Sequence, residues 1–204
     1  MVDRKQEDIQ VIDKSLLYKK FFRVDEYFLR YPRYDGKMSD VIGREVMERG
    51  HAAGILLYDP DRENLVFVEQ MRVGTFVAGD YPWVLECVAG IIEDGESPEQ
   101  VAVREAEEEA GASVSDVEPV AEYFSSPGGL TEKIYLFCGR VDSGRVAKYA
   151  GKASENEDTR VVVLPVGEVE KMLAGRKFNN ALTIIAVQWF LMNKETLRKK
   201  WGIS

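Results

Sequence analysis

The chain has 204 residues with a net charge of −8, and 45% of them are hydrophobic, which is ordinary for one globular domain with at most a small appendage. The excess of acidic residues argues against general binding of this protein to nucleic acid or to an anionic membrane surface, because both are polyanions. No apolar run has the length of a transmembrane helix and the first ten residues lack the apolar core of a signal peptide, so we expect a cytoplasmic protein.

The first part of the chain predicts an antiparallel β appendage. The alternating pattern of LLYKKFFRVDEYFLRYPR, residues 16–33, is typical of a strand, and Asp35-Gly36 is a turn signal. We place the boundary so that residues 1–45 form this appendage and residues 46–204 form the main domain.

The main domain predicts an α/β fold with a mixed sheet. Apolar runs indicate strands at residues 51–59, 65–73, 82–90, 117–124, 133–141 and 159–166, and helical patterns follow at 166–175 and 181–199. A further helix is expected after Ser97, which suits an N-cap, with Pro98 at the first helical position and Gly111 at the stop. Residues 143–157 are expected to form a long mobile loop of the kind that often acts as a lid.

Histidine and cysteine are too scarce for several kinds of catalytic site. His51 is the only histidine, which excludes a His-rich zinc site and argues against a Ser-His-Asp triad. We expect His51 to be structural, and Cys87 and Cys138 to be reduced core residues. Acid–base chemistry would therefore depend on carboxylates.

One stretch of the predicted helix concentrates such carboxylates. Glu105, Glu108 and Glu109 stand at i, i+3 and i+4 and share one face, where like charges repel by a few tenths of a kcal/mol per pair. Glu109 also lies in the last turn, where the helix dipole disfavours an acid. A hard divalent cation bound by oxygens would offset this repulsion, and Arg104 could orient a carboxylate. The alternative is a solvated acidic helix face.

The residues around this cluster follow a known pattern. The pattern consists of a glycine, five residues, a glutamate, seven residues and then R-E-U-x-E-E-x-G-U, in which U is apolar. The sequence matches it at every fixed position, and alanines occupy the U positions. The fixed residues are Gly90, Glu96, Arg104, Glu105, Glu108, Glu109 and Gly111. The segment resembles the Nudix box, in the strand–loop–helix context that the motif needs. The resemblance implies a Nudix fold, in which helices sandwich a mixed β-sheet, and hydrolysis of a nucleoside diphosphate linked to another moiety.

Beyond the box, most of the chain is similar to the bacterial ADP-ribose pyrophosphatases of this family. The segments that carry this similarity are YKKFFRVDEY, GREVMERGHAA, VEQMRVGT, WVLECVAGIIEDGES, SSPGGLTEK and ENED, in that order. The resemblance implies hydrolysis of ADP-ribose to AMP and ribose 5-phosphate with Mg²⁺, or with Mn²⁺. It also implies a homodimer that exchanges its N-terminal appendages. Hydrolysis of another nucleotide sugar such as GDP-mannose is the nearest alternative, and a non-catalytic nucleotide-sugar sensor is an alternative of another class.

The same resemblance assigns the metal and catalytic residues. The metal ligands would be Glu105, Glu109, the carbonyl of Ala89, and Glu157, with Glu108 adding a ligand directly or through water. Glu155 would be the catalytic base, although Glu155 and Glu157 could exchange roles. By themselves, these two loop acids would be more typical of a solvated charge run than of a catalytic pair.

Substrate contacts follow from the resemblance too. Phe21 and Phe22 would stack beside the base, although they would also suit ordinary strand core. Arg72 would meet phosphate or ribose, and its alternative is an ion pair with Glu86, because a lone cation on an apolar strand needs a partner. The remaining predicted contacts are Arg44 and Glu45 from the partner subunit, Arg49, Ile91, Ser126, Pro127, Gly128 and Glu132.

Overall fold

The computed structural model describes residues 4–152, 154 and 156–203, and the chain divides into two compact units. The N-terminal unit contains the residues up to His51 together with Tyr123–Lys133. The larger unit contains Ala52–Glu122 and the chain from Ile134 onwards. Among the described residues, no helix combines the length and apolarity required to cross a membrane.

The N-terminal unit is built on a three-stranded antiparallel sheet of order β1-β2-β3. Its strands are β1 (Gln10–Lys19), β2 (Arg23–Arg30) and β3 (Ile42–Glu48). The prediction of one strand across residues 16–33 was wrong, because the chain reverses tightly after Lys19, which pairs with Arg23. The reversal carries none of the glycine, proline, asparagine or aspartate residues that usually mark a turn. The Asp35-Gly36 turn is confirmed, and Gly36 has a φ of 83°.

The larger unit is organised around an eight-stranded sheet of order β10-β11-β5-β4-β9-β8, with β6 paired to β5 and β7 paired to β4. The strands are β4 (Ala52–Asp59), β5 (Asn64–Met71), β6 (Trp83–Glu86), β7 (Val88–Ile91), β8 (Val117–Phe124), β9 (Lys133–Arg140), β10 (Tyr149–Ala150) and β11 (Thr159–Pro165). The helices are α1 (Val73–Val77), α2 (Pro98–Ala110), α3 (Val166–Ala174) and α4 (Ala181–Lys200). Strand β4 is parallel to β9 and antiparallel to β5 and β7, so the sheet is mixed, as expected.

Helices cover both faces of this sheet. Every residue of β4 is buried, and its side chains alternate between the two faces. On one face, Ile55 and its neighbours pack against the small apolar stripe of α2, which consists of Val101, Ala102, Ala106 and Ala110. On the other face, Gly54 lies against Leu182 of α4, and the ring of Tyr58 meets that of Phe190 at 4.6 Å. The predicted fold class, a mixed sheet between helices, is confirmed.

The central strands separate where the candidate site lies. Strand β4 pairs with β5 only over Leu57–Asp59, and over Ala52–Ile55 it pairs with β7 instead. Strand β5 similarly continues into pairing with β6. The expected single strand at residues 82–90 is therefore two short strands, β6 and β7, with Cys87 between them. Both cysteines are free and buried, as predicted.

Helix α2 has both of its ends specified by local hydrogen bonds. The Ser97 hydroxyl accepts from the backbone N–H of Gln100 at 3.3 Å, and the Gln100 side chain accepts from the N–H of Ser97 at 2.9 Å. At the other end, Gly111 adopts the left-handed conformation with φ 59°, which favours glycine. These contacts confirm the predicted start and stop of the helix.

Replacing Ser97 with alanine is expected to lower the free energy of unfolding by about 1 kcal/mol, since the cap hydrogen bond is lost. Urea unfolding followed by circular dichroism would measure the change. Ser113→Ala removes an exposed hydroxyl beyond the helix and serves as the control, with a change expected within about 0.5 kcal/mol. Equal effects of the two substitutions would contradict the role of the cap.

Candidate active site

The acidic face of α2 lies against the strand that precedes it. Glu105 passes directly over Gly90 of β7, so closely that a Cβ at Gly90 would overlap the Glu105 carboxyl group. Gly90 is paired with Ala53 in the sheet and its φ is not in the left-handed region. Glycine is therefore required here for space alone, because it lets a carboxylate approach the backbone beside Ala89.

Arg104 holds three carboxylates at the edge of this face. Its Nε and Nη2 atoms donate to the two carboxylate oxygens of Glu96 at 3.0 and 3.2 Å, a bidentate pair. Its Nη1 atom donates to Glu105 at 2.8 Å and to Glu108 at 3.1 Å. The hydrogen bonds from Arg104 lower the pKa of Glu96. Arg104 therefore fixes the loop before α2 to the helix and orients more than the one carboxylate that was predicted.

Glu109 is the most deeply placed acid of the cluster, with only 3% of its surface exposed. One carboxylate oxygen accepts from the Gln70 side-chain amide at 3.2 Å, and the other accepts from the backbone N–H of Ala89 at 3.4 Å. Both donors are neutral, and no lysine or arginine in the described part of the chain forms an ion pair with Glu109. Burying a carboxylate without an ion-pair partner is costly.

The surroundings of Glu109 favour its protonated form. Burial, followed by the negative charges of Glu105 and Glu157, raises its pKa to about 7 against the opposing effects of Arg72 and the Ala89 N–H. Burial likewise raises the pKa of Glu105, and Arg104 opposes this effect while Glu108 and Glu157 add to it. Glu105, Glu109 and Glu157 therefore lie within electrostatic range of one another.

The loop that carries Glu157 is attached to the same helix. The backbone N–H of Gly151 donates to the carbonyl of Glu108 at 3.2 Å, and Gly151 has a φ of 102°, which only glycine adopts readily. The Glu157 carboxylate accepts from the N–H of Lys152 at 3.4 Å. These contacts bring Glu157 into the electrostatic neighbourhood of Glu105 and Glu109. The predicted base, Glu155, lies outside the described residues.

The donor set suits a hard divalent cation, because carboxylate and carbonyl oxygens are the ligands that Mg²⁺ and similar ions take in proteins. Among the described residues, however, no three acidic, histidine or cysteine side chains are arranged as a finished metal cage. In the described structure Glu105 accepts a hydrogen bond from Arg104, and Glu109 accepts one from Gln70. The burial of Glu109 with no ion-pair partner among the described residues is the observation that fits a cation.

Arg72 forms the ion pair that was the alternative to its substrate role. Its Nε donates to Glu86 at 2.6 Å, and the other oxygen of Glu86 accepts from Asn180 at 2.6 Å. Asn180 also caps α4 by accepting from the N–H of Thr183 at 3.1 Å. The charge of Arg72 still lowers the pKa of Glu109, so its guanidinium lies near the acidic face. Ile91 of β7 is partly exposed, at 39%.

The other predicted substrate contacts belong to the N-terminal unit. Phe21 and Phe22 lie at the β1–β2 reversal with ring centroids 5.0 Å apart, and both are exposed, so they are not strand core. The Arg49 guanidinium lies 5.9 Å from the Phe22 ring and pairs with the buried Glu132 at 3.2 Å. Arg44 and Glu45 are exposed on β3, and Ser126, Pro127 and Gly128 form an exposed turn in which Gly129 donates to the Ser126 carbonyl.

Four side chains that the sequence analysis did not assign to the site also belong to this neighbourhood. They are Gln70, Thr159, Glu86 and Asn180. Gln70 donates hydrogen bonds to Glu109 and to Thr159, and Glu86 accepts hydrogen bonds from Arg72 and from Asn180. Glu86 was considered only as an ion-pair alternative. The only signal in the sequence for any of these four residues was that Gln70 is a polar residue within an apolar strand.

Comparisons with known proteins identify the family of the chain. The sequence model described as NUDIX domain matches residues 48–190. The ADP-ribose pyrophosphatase of Escherichia coli strain K12 is 40% identical over 195 residues, covering 96% of this chain and 93% of that protein.

The chain belongs to the Nudix family. Another Nudix relative, the GDP-mannose pyrophosphatase of Pectobacterium atrosepticum, is 33% identical over 88% of this chain and 92% of its own length. A solved structure described as an ADP compounds hydrolase superposes with a TM-score of 0.71, covering 99% of this chain and all of that one at 19% identity. That likeness supports the Nudix fold alone. The family typically uses a divalent metal ion.

Proposed function

We propose that this Nudix protein hydrolyses ADP-ribose. Water adds across the diphosphate bond, so that one phosphate leaves with the adenosine as AMP and the other leaves with the ribose as ribose 5-phosphate. The observation that carries the proposal is the buried Glu109 carboxylate, which has acidic neighbours and forms no ion pair with any of the described residues. The similarity to a protein named ADP-ribose pyrophosphatase supports the choice of substrate.

The acidic face would hold Mg²⁺, for which Mn²⁺ is an alternative. The ligands in this proposal are Glu105, Glu109, Glu157 and the carbonyl of Ala89, with Glu108 contributing directly or through water. When bound, the metal supplies positive charge for the diphosphate and acidifies a coordinated water molecule. A bare acidic face would repel the same substrate.

The protein's own side chains would do the remaining work. Arg104 keeps Glu105 and Glu108 oriented through its Nη1 hydrogen bonds. Arg72, held by Glu86, would contact the phosphate or ribose with its remaining guanidinium donors. Glu155 would act as the base that removes a proton from the attacking water, and Glu157 is the alternative base.

The remaining contacts of this proposal rest on the resemblance to the family. Phe21 and Phe22 would stack beside the adenine, and Ile91 would line the pocket. Arg44, Glu45, Arg49, Ser126, Pro127, Gly128 and Glu132 complete the proposed set. Arg44 and Glu45 would act on the substrate of the partner subunit in a homodimer, and light scattering of the purified protein would test that dimer.

The decisive experiment compares substrates at equal concentration with Mg²⁺ present. We expect ADP-ribose to yield AMP and ribose 5-phosphate faster than GDP-mannose and diadenosine polyphosphates yield products. Chromatographic separation of the products would measure each rate, and excess EDTA should abolish them. Faster cleavage of GDP-mannose would instead support the alternative that the Pectobacterium relative suggests, with the same chemistry and another specificity.

No hydrolysis of any nucleotide sugar, together with tight binding of one, would instead support a sensor. The acidic face argues against that alternative. Every acid of the box is present. Glu109 occupies a buried position, where a neutral residue would avoid the cost of burying a carboxylate without an ion-pair partner.

A further inference from the structure

Gln70 is a buried polar side chain of β5, in the part of the strand that pairs with β6 and not with β4. Only 5% of its surface is exposed. Its Nε2 group donates to a carboxylate oxygen of Glu109 at 3.2 Å and to the Thr159 hydroxyl at 2.5 Å. Both hydrogens of the amide are therefore used, and both acceptors are buried as well. An amide is costly to bury unless its hydrogen bonds are made, so its two partners account for its presence.

The two partners of Gln70 come from different parts of the site. Glu109 lies in the last turn of α2, whereas Thr159 begins β11, two residues after Glu157. The Gln70 amide thus connects Glu109 of α2 to the end of the loop that carries Glu157. The side chain is also neutral. A glutamate here would add another negative charge, and a lysine would pair with Glu109 and compete with a bound cation.

We propose that Gln70 is a positioning residue of the metal site, which orients the Glu109 carboxylate and sets its spacing from the loop that carries Glu157. The inference rests on the proposed function, because it takes Glu109 and Glu157 as ligands. Residues that hydrogen-bond to metal ligands typically change metal affinity or activity by about 10- to 100-fold when they are replaced.

The test is a titration with Mn²⁺ alone, in which electron paramagnetic resonance measures the free ion. Gln70→Met keeps an unbranched side chain and removes both donors. We expect it to weaken Mn²⁺ binding about tenfold or more, and to lower kcat for ADP-ribose about 10- to 100-fold while KM changes less than about threefold. Glu109→Gln, which removes the proposed ligand itself, is measured alongside.

Thr159 provides a second, independent pair of variants. Thr159→Val removes the acceptor without changing the shape of the side chain, and we expect a smaller loss of Mn²⁺ affinity, about threefold to tenfold. Thr159→Ser keeps the hydroxyl and should bind Mn²⁺ like the unmodified protein. This pair keeps the test decisive if Gln70→Met does not fold, because a purely structural role would not distinguish serine from valine in metal affinity.

A failure of the positioning role of Gln70 can be distinguished from a failure of the proposed metal site. Unchanged Mn²⁺ affinity in Gln70→Met or in Thr159→Val, combined with loss of binding in Glu109→Gln, would overturn the positioning role and leave the proposed function standing. Unchanged affinity in Glu109→Gln would remove the proposed metal site, and the role of Gln70 would be wrong along with it.

Discussion

Replacing Glu109 with glutamine is expected to lower the turnover of ADP-ribose by about a thousandfold while the protein remains folded. The loss would reflect several kcal/mol of transition-state stabilisation, since each factor of ten corresponds to about 1.4 kcal/mol. The fold should survive because the residue keeps its shape and because Glu109 stabilises no ion pair among the described residues. Steady-state kinetics with Mg²⁺, together with circular dichroism, would measure both effects.

The same substitution should change how stability depends on pH. The pKa of Glu109 is about 7, above its ordinary value of 4.5, so between these pH values the folded state keeps a proton that the unfolded chain has released. The free energy of unfolding of the metal-free protein therefore falls as the pH rises through this window. Glutamine resembles the protonated acid, so the variant should lose this decline. Its stability relative to the unmodified protein should be higher at a pH well above 7 than at low pH, by on the order of 3 kcal/mol.

Glu107→Gln is the matched control for both measurements, because it removes one charge from an exposed position of the same helix. Its turnover should stay within about threefold of the unmodified protein, since a surface substitution away from the site has little effect. Near-normal turnover in Glu109→Gln would contradict the assignment of this carboxylate to the metal.

Gly90→Ala is expected to reduce turnover by about a hundredfold or more with little change in the fold. The added methyl group would overlap the carboxyl group of Glu105. Because the Glu105 side chain is flexible and the backbone of Gly90 is acceptable for alanine, the acid would move and the sheet would stay. Loss of one well-placed charged group of this kind costs about 10²- to 10³-fold. Kinetics and thermal unfolding would separate the two effects.

Gly167→Ala adds the same methyl group at a position of α3 where no atom lies within 4 Å. Alanine also favours a helix over glycine, so this control should be fully active and at least as stable as the unmodified protein. If Gly90→Ala turned over ADP-ribose at the same rate as this control, the position of Glu105 would not matter for catalysis.

The features that the sequence predicted best are those with local causes. Helix α2 begins at Ser97 and ends at Gly111 because caps depend on residues only a few positions away. The spacing of the glutamates then places them on one face. The box and the order of the other segments together indicated the family, which the comparisons confirm.

Features with distant or unusual causes were not predicted. The β1–β2 reversal at Phe21 and Phe22 contains no turn residue, so the pattern looked continuous. Gln70 contacts residues 39 and 89 positions away, and nothing in its own neighbourhood in the sequence indicates those partners. The ion pair between Arg72 and Glu86 was only the alternative to a substrate role, suggested because an arginine on an apolar strand requires a partner. The contact of Asn180 with Glu86 was not predicted.

The caps of α2 have a consequence for how this protein can vary. With Ser97 holding one end and Gly111 the other, the helix has no free turn in which to absorb an extra residue. Each residue of an α-helix advances by about 100° around the axis. An insertion near Arg104 would therefore rotate Glu109 away from the Ala89 backbone and toward the buried apolar side of the helix. Related proteins can therefore differ from this one in the length of their loops. The thirteen residues of α2 can be substituted, but their number cannot change.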